Sequence, residues 1–267
     1  MKKFLDVNGI TMCVDDTEKG DRAILLIHGL TSSKEGMYTV RDMLKDEYRV
    51  ITIDTRGHGE STRPSQYNLD DHGKDLHEII RQLDLKKADV LGYSMGSYIA
   101  LKAAEMECGD IDHLILICTK AKGTTSSIAR ILKEENLDIT QLSQDELMQI
   151  ILKASVSPEN FEKIRRGESD ILEMFSGDDS SELSEDEKAS EDASIANFDN
   201  SKDFKKVTCK TLVIGAEYDG INPPDLGREV ADAIDSAQFE LIDNAGHLVF
   251  FEKPEEFSKL VKDFLES

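Results

Sequence analysis

Basic residues are scarce in this chain. Lysine and arginine together number 32 against 54 aspartates and glutamates, leaving a formal net charge of −22 over 267 residues. A phosphate backbone or an anionic membrane surface would be repelled by such a field, so neither nucleic acid nor membrane is expected as a partner. Cysteine is equally sparse. Cys13, Cys108, Cys118 and Cys209 lie far apart without metal-ligand spacing, which reads as buried thiols in a reducing cytoplasm and implies no metal. No apolar run approaches the roughly 18 residues needed to cross a bilayer. Met1-Lys2-Lys3-Phe4-Leu5-Asp6 is not followed by the apolar core of a signal peptide, so export is not expected. No glycine-rich phosphate loop precedes a Lys-Ser or Lys-Thr pair, so nucleotide chemistry has no support, and no cofactor is called for.

What is present alternates. Asn8-Gly9 between two alternating stretches signals a two-residue hairpin. Buried strands are expected near 23–28, 49–54, 88–92, 113–118, 211–216 and 237–242, with helices near 35–46, 70–83, 96–107, 224–234 and 254–266. Continuous apolar runs such as Leu114-Ile115-Leu116-Ile117 suit strands covered on both faces, as in a parallel sheet. The pattern predicts an α/β fold: a doubly wound, mostly parallel sheet of eight strands. Between Thr119 and Lys206 the alternation gives way to helical segments at Ser127–Asn136, Ser143–Ala154, Pro158–Arg166 and from Ser184 to about Phe198. Ser143 with Glu146 three residues on is a capping box. The domain expectation is therefore a core of residues 1–118 and 207–267 with a helical insertion at 119–206. Residues 168–192 are densely acidic, and most of that charge reads as a solvated face or mobile loop, with no catalytic role assigned. Ile171, Leu172, Met174 and Phe175 within that stretch are expected to pack between helices, with lining of a substrate pocket as the alternative.

One stretch carries chemistry. Gly92-Tyr93-Ser94-Met95-Gly96 places a serine between two glycines where a strand turns sharply into a helix. Such a turn lifts the hydroxyl clear of the sheet and leaves the next amide, that of Met95, free to bind an anion. A serine hydroxyl needs a base, and the base needs an orienting acid. Of six histidines, His247 sits in the polar turn Asn244-Ala245-Gly246-His247 directly after an apolar strand. His72 and His77 lie in a charged helical segment and are expected to be solvated, His113 is expected to be structural, and His28 and His58 belong to glycine-rich loops. Asp219 follows the buried run Thr211–Gly215 at its C-terminal tip, where working residues of open α/β sheets gather. Ser94, Asp219 and His247 appear in one of the few orders that serine triads use.

With these residues the chain resembles the α/β-hydrolase superfamily over most of its length. Ile24–Leu30 is similar to the strand and loop that supply half of the oxyanion hole, which implies that the backbone N–H of Leu30 acts with that of Met95. Asp54-Thr55-Arg56-Gly57-His58-Gly59 resembles the family's next glycine-bearing turn, and Gly246-His247 before Phe251-Glu252-Lys253-Pro254 its histidine loop. The helical insertion resembles the family's cap. Ser97 departs from the pattern, since many relatives carry a second glycine there. The resemblance is strongest to esterases and enol-lactonases with short caps, and it implies a small ester or lactone as substrate. Serine rather than aspartate at the turn argues against attack at saturated carbon. Two alternatives stay open: hydrolysis of a carbon–carbon bond, with Arg130, Arg165, Arg166 or Arg228 facing a substrate carboxylate, and ligand binding without catalysis. A homodimer is one assembly the sequence allows.

Overall fold

The computed structural model describes residues 1–123, 126–172 and 183–267. Met174 and Phe175 lie outside the described residues. The sheet grows from short, locally specified pieces. β1 (Lys2–Val7) and β2 (Ile10–Asp16) pair antiparallel around Asn8-Gly9, whose φ angles of 47° and 81° give the turn a twist that matches the strands. β3 (Ala23–Ile27), β4 (Arg49–Ile53), β5 (Ala88–Tyr93), β6 (Ile111–Ile117), β7 (Lys210–Ala216) and β8 (Ala237–Ile242) follow. They form one eight-stranded sheet in the order β1-β2-β4-β3-β5-β6-β7-β8, parallel from β4 to β8.

Neighbouring residues on the central strands enter opposite cores. Leu25, Ile27, Val90, Leu114, Leu116 and Val213 face one cluster, with Leu76 and Ile79 of α2 (Leu69–Gln82) and Ile99 of α3 (Met95–Met106). Ile24, Leu26, Leu91, Ile115, Leu212 and Ile214 face the other, with Val40 and Leu44 of α1 (Tyr38–Leu44). Burial on both faces explains why these strands read as unbroken apolar runs. No helix among the described residues is long and apolar enough to cross a membrane.

Between β6 and β7 the described residues hold α4 (Ser127–Glu134), α5 (Gln144–Ser155), α6 (Pro158–Arg165) and α7 (Glu185–Ser194), two short 3-10 turns and one isolated bridge, Lys122 to Asp199. Ser143 and Glu146 form the expected capping box, and Ser184 with Glu187 forms another on α7. Ile171 is buried in the second cluster, while Leu172 is 39% exposed. α8 (Pro224–Ala233), α9 (Val249–Glu252) and α10 (Pro254–Leu265) complete the chain, with proline in the first turn of α6, α8 and α10, where its missing N–H costs nothing.

A buried charge cluster fixes the turn after β4. Lys34 is 1% exposed, yet its Nζ lies 2.8 Å from Asp54 Oδ2 and 2.9 Å from both Glu35 and Glu60. Asp54 also accepts from the backbone N–H groups of Lys34 (2.7 Å) and Glu60 (3.0 Å). Removing one partner from such a pair strands the other charge. Lys34→Met should therefore cost about 3–5 kcal/mol in urea denaturation, and adding Asp54→Asn should restore part of that loss. An unchanged urea midpoint in Lys34→Met would show that the cluster does not hold this turn.

Candidate active site

β5 ends in a backbone that few residues adopt. Ser94 has φ 51° and ψ −117°, and its N–H is held by Ile117 O at 2.9 Å. The turn closes because Gly92 and Gly96 lack side chains. A Cβ on Gly92 would come within 2.2 Å of Gly96 O, and one on Gly96 within 2.2 Å of Ile27 O. Both obstacles are backbone and cannot swing away. Ser97 fits the crowded helix start because its Oγ donates to Ser94 O at 2.5 Å.

The three predicted side chains meet at the C-terminal edge of the sheet. His247 Nε2 is 3.0 Å from Ser94 Oγ, and His247 Nδ1 is 2.8 Å from Asp219 Oδ2. A carboxylate can only accept, so the proton sits on Nδ1 and the lone pair of Nε2 faces the serine hydroxyl. Asp219 is 3% exposed, and its Oδ1 accepts from the N–H groups of Ile221 (2.9 Å) and Asn222 (2.8 Å), which orients the free oxygen toward the ring. Asn222 Nδ2 donates to Tyr98 Oη (2.6 Å) and Cys118 O (2.7 Å), tying this loop to α3 and to the end of β6. Neither Leu30 N–H nor Met95 N–H donates a hydrogen bond among the described residues. Met95 is the first residue of α3, where helix geometry leaves the amide without an internal partner.

Donor atoms of Cys118, Asp219 and His247 lie within 4.8 Å of one another. Metal binding requires a thiolate, and burial, followed by the charge of Asp219, pushes the Cys118 thiol well above its usual range. The set therefore suits hydrogen bonding better than an ion.

Two other histidines, His72 and His77, depart from expectation. His72 is 2% exposed and His77 is half-buried, with its ring nitrogens on Asp110 (3.0 Å) and Ala103 O (2.9 Å). Leu69, His72, Leu76, Ile79 and Ile80 form the buried stripe of α2, so His72 follows the helical period despite its charged neighbours. His113 is structural, with Nδ1 3.0 Å from Asp89. The rings of His28 and His58 approach to 4.9 Å beneath the loop that carries Leu30.

Two residues escaped the sequence reading. Glu191, in the acidic stretch expected to be solvated, is 1% exposed and hydrogen-bonded to the Thr31 N–H and to His58. Lys120, two residues past Cys118, lies 5.5 Å over the Tyr98 ring and donates to Ser127 Oγ at 3.3 Å. It makes no ion pair among the described residues, and burial, followed by the charge of Arg130, lowers its pKa. Asp219 acts in the opposite sense. Of the arginines considered, Arg165 and Arg166 are more than half exposed, Arg228 lies over Phe239, and Arg130 is bound to Glu134 and Gly220 O.

A family model described as alpha/beta hydrolase fold matches residues 22–254. The chain belongs to the α/β-hydrolase family. It is 27% identical to the AB hydrolase superfamily protein YisY of Bacillus subtilis, over 97% of this chain and 96% of that protein. It is 26% identical to 3-oxoadipate enol-lactonase 1 of Acinetobacter baylyi, over 84% and 81%. The enol-lactonase structure from Burkholderia xenovorans superposes with a TM-score of 0.80 at 24% identity, over 99% of this chain and all of the other, a likeness of fold. This α/β-hydrolase thus has relatives named as enzymes on a shared architecture.

Two buried rings beside the site carry a pH signature. Burial, followed by the charge of His58, lowers His28 from 6.5 to about 3, and burial holds His72 well below its usual range. The unfolded chain takes up these protons below about pH 6.5 while the native protein does not. Stability is therefore full above that pH and falls as pH drops toward 3, by up to about 1.4 kcal/mol per pH unit for each ring. His72 Nε2 makes no hydrogen bond among the described residues, so an apolar replacement costs no bond at that nitrogen. Urea titrations of His72→Leu at pH 6.5 and pH 5 should show a slope shallower by about one proton. An unaltered slope would mean that this ring is charged in the native state.

Proposed function

We propose that the protein is a serine hydrolase cleaving a small carboxylic ester or lactone through an acyl-enzyme. The observation that carries this reading is the 3.0 Å approach of His247 Nε2 to a hydroxyl raised on a strained turn, with Asp219 behind the ring. Ser94 Oγ attacks the carbonyl carbon as His247 takes its proton, and Asp219 stabilises the imidazolium that forms. The backbone N–H groups of Leu30 and Met95 receive the oxyanion. His247 then protonates the departing alkoxide. Water enters, gives a proton to the same nitrogen and attacks the acyl-enzyme, and the proton returns to Ser94 Oγ as the carboxylic acid leaves.

A fluorophosphonate probe should label the wild type at Ser94 and leave Ser94→Ala unlabelled. That variant should lose about 10⁴-fold or more in kcat on p-nitrophenyl butyrate while keeping its thermal midpoint. Retained hydrolysis in Ser94→Ala would assign the nucleophile elsewhere. Failure of the wild type to label or hydrolyse would leave ligand binding as the use of the fold.

Lys120 supports an ester whose acyl chain ends in a carboxylate. It is a half-buried ammonium without an ion pair among the described residues, over a ring one helical turn from Ser94. A charge-assisted hydrogen bond of about 1.5–3 kcal/mol corresponds to roughly 10- to 100-fold in kcat/KM. Mono-p-nitrophenyl glutarate should be preferred over p-nitrophenyl butyrate by about that factor, and Lys120→Met should abolish the preference by acting on the anionic ester alone. Equal losses on both esters would remove Lys120 from substrate recognition.

A further inference from the structure

The amide of Leu30 is clamped from two directions. Its own peptide plane is fixed through Gly29 O, which accepts from His28 Nδ1–H at 2.7 Å and from Ser32 N–H at 3.3 Å. The next plane is fixed through Thr31 N–H, which donates to Glu191 Oε1 at 2.6 Å. Thr31 holds φ 57°, a left-handed conformation disfavoured for a β-branched residue unless its surroundings impose it. The first anchor belongs to the sheet core. The second comes from α7, 160 residues away along the chain, in the helical segment between β6 and β7.

Glu191 is an unusual choice for such a contact. Its side chain is 1% exposed, and Oε2 makes no hydrogen bond among the described residues. A carboxylate beside a developing oxyanion would oppose it, but His58 Nε2–H also donates to Oε1 and offsets that charge. Thr55 Oγ1 links His58 Nδ1 (2.9 Å) to His28 Nε2 (3.2 Å), so both anchors of the Leu30 loop share one buried network. α7 has other attachments to the core. Ser190 Oγ donates to Ser65 O at 3.1 Å, and Glu187 pairs with Arg63 at 3.3 Å.

We propose that Glu191 is a positioning residue for catalysis: by holding Thr31 N–H it aims the Leu30 amide at the oxyanion, so this donor is in place only while α7 is docked. The inference rests on the serine-hydrolase reading of Ser94 and deepens it. Docking contacts elsewhere on α7 serve attachment alone, whereas Glu191 acts on the transition state.

The test compares Glu191→Met, which keeps volume and loses both acceptors, with Glu191→Gln, which keeps an oxygen for Thr31 N–H, and with Ser190→Ala as a docking control. Substrate is p-nitrophenyl butyrate, and a trifluoromethyl ketone that adds to serine reports the tetrahedral state. Glu191→Met should lower kcat by about 10²-fold with KM within about threefold, and should weaken the ketone in parallel, as expected for loss of one oxyanion donor. Glu191→Gln and Ser190→Ala should stay within about threefold of wild type in both readouts. The proposal is overturned if Glu191→Met keeps its kcat, or if its loss appears in KM while ketone affinity stays. A hundredfold loss in Glu191→Gln would overturn it equally, by assigning the effect to charge, and that variant decides the matter if Glu191→Met does not fold. Wild type that neither hydrolyses the ester nor binds the ketone would sink the hydrolase reading itself, an outcome distinct from wild-type behaviour in the variants.

Discussion

The backbone of Ser94 sits where an L-residue pays about 1–3 kcal/mol, and the site is organised around keeping it there. The strain is affordable because it is imposed from three sides. β5 runs between β3 and β6 in a sheet covered on both faces, Ile117 O holds the serine amide, and the glycines at 92 and 96 let α3 start against the carbonyls of β3. That close start exposes the first amide of α3 next to the hydroxyl. On the proposed mechanism, nucleophile position and oxyanion donor are thus two results of one turn, and a side chain at either glycine would disturb both together.

Charge is handled differently at the surface and beneath the site. Among the described residues few aspartates and glutamates are buried, whereas the charged groups under the β3 and β4 loops are matched. Lys34 meets Asp54 and Glu60, Arg56 grips Asp75 through two 2.8 Å hydrogen bonds, and His58 faces Glu191. Desolvation cancels much of what such pairs gain, so their main effect is geometric. Each requires a particular loop conformation to satisfy its donors, and together they fix the turn from Asp54 to Glu60 under the loop that carries Leu30. The motif Asp54-Thr55-Arg56-Gly57-His58-Gly59 is in this sense a scaffold for the neighbouring strand's loop.

The parts of this arrangement that sequence reveals are those in which local rules and tertiary demands coincide. Asn8-Gly9 turns, Leu114–Ile117 reads as a doubly covered strand, and Ser94, Asp219 and His247 fall at strand ends in a recognisable order. Glu191 and His72 were misread because polarity averaged over a segment conceals the direction of one side chain. His72 stands among Asp70, Asp71 and Lys74, yet shares the stripe of Leu69 and Leu76, so its helical spacing carried a usable signal. Glu191 had none, since the buried residues of its helix are itself and Ser194, neither of them apolar. Lys120 likewise depends on what Tyr98 and Ser127 present to it, which no period along the chain encodes.

The polar character of the α7 seam has an energetic consequence. An apolar helix laid on the core would gain roughly 25 cal/mol for each Å² buried and would stay down. Glu191 instead surrenders hydration on docking and recovers two hydrogen bonds, with Oε2 unpaired among the described residues. The contacts from Ser190 and Glu187 are partly exposed and worth little each. The helix's own side chains therefore hold it less firmly than an apolar seam would, although Ile195 and Phe198 just beyond it pack into the core. A ligand that touches both sides needs only a modest differential affinity to shift such a balance. By placing Glu191 Oε1 on the Thr31 N–H, the chain carries any such shift to the Leu30 amide, and on the mechanism proposed above the docking of α7 is linked to the aim of an oxyanion donor.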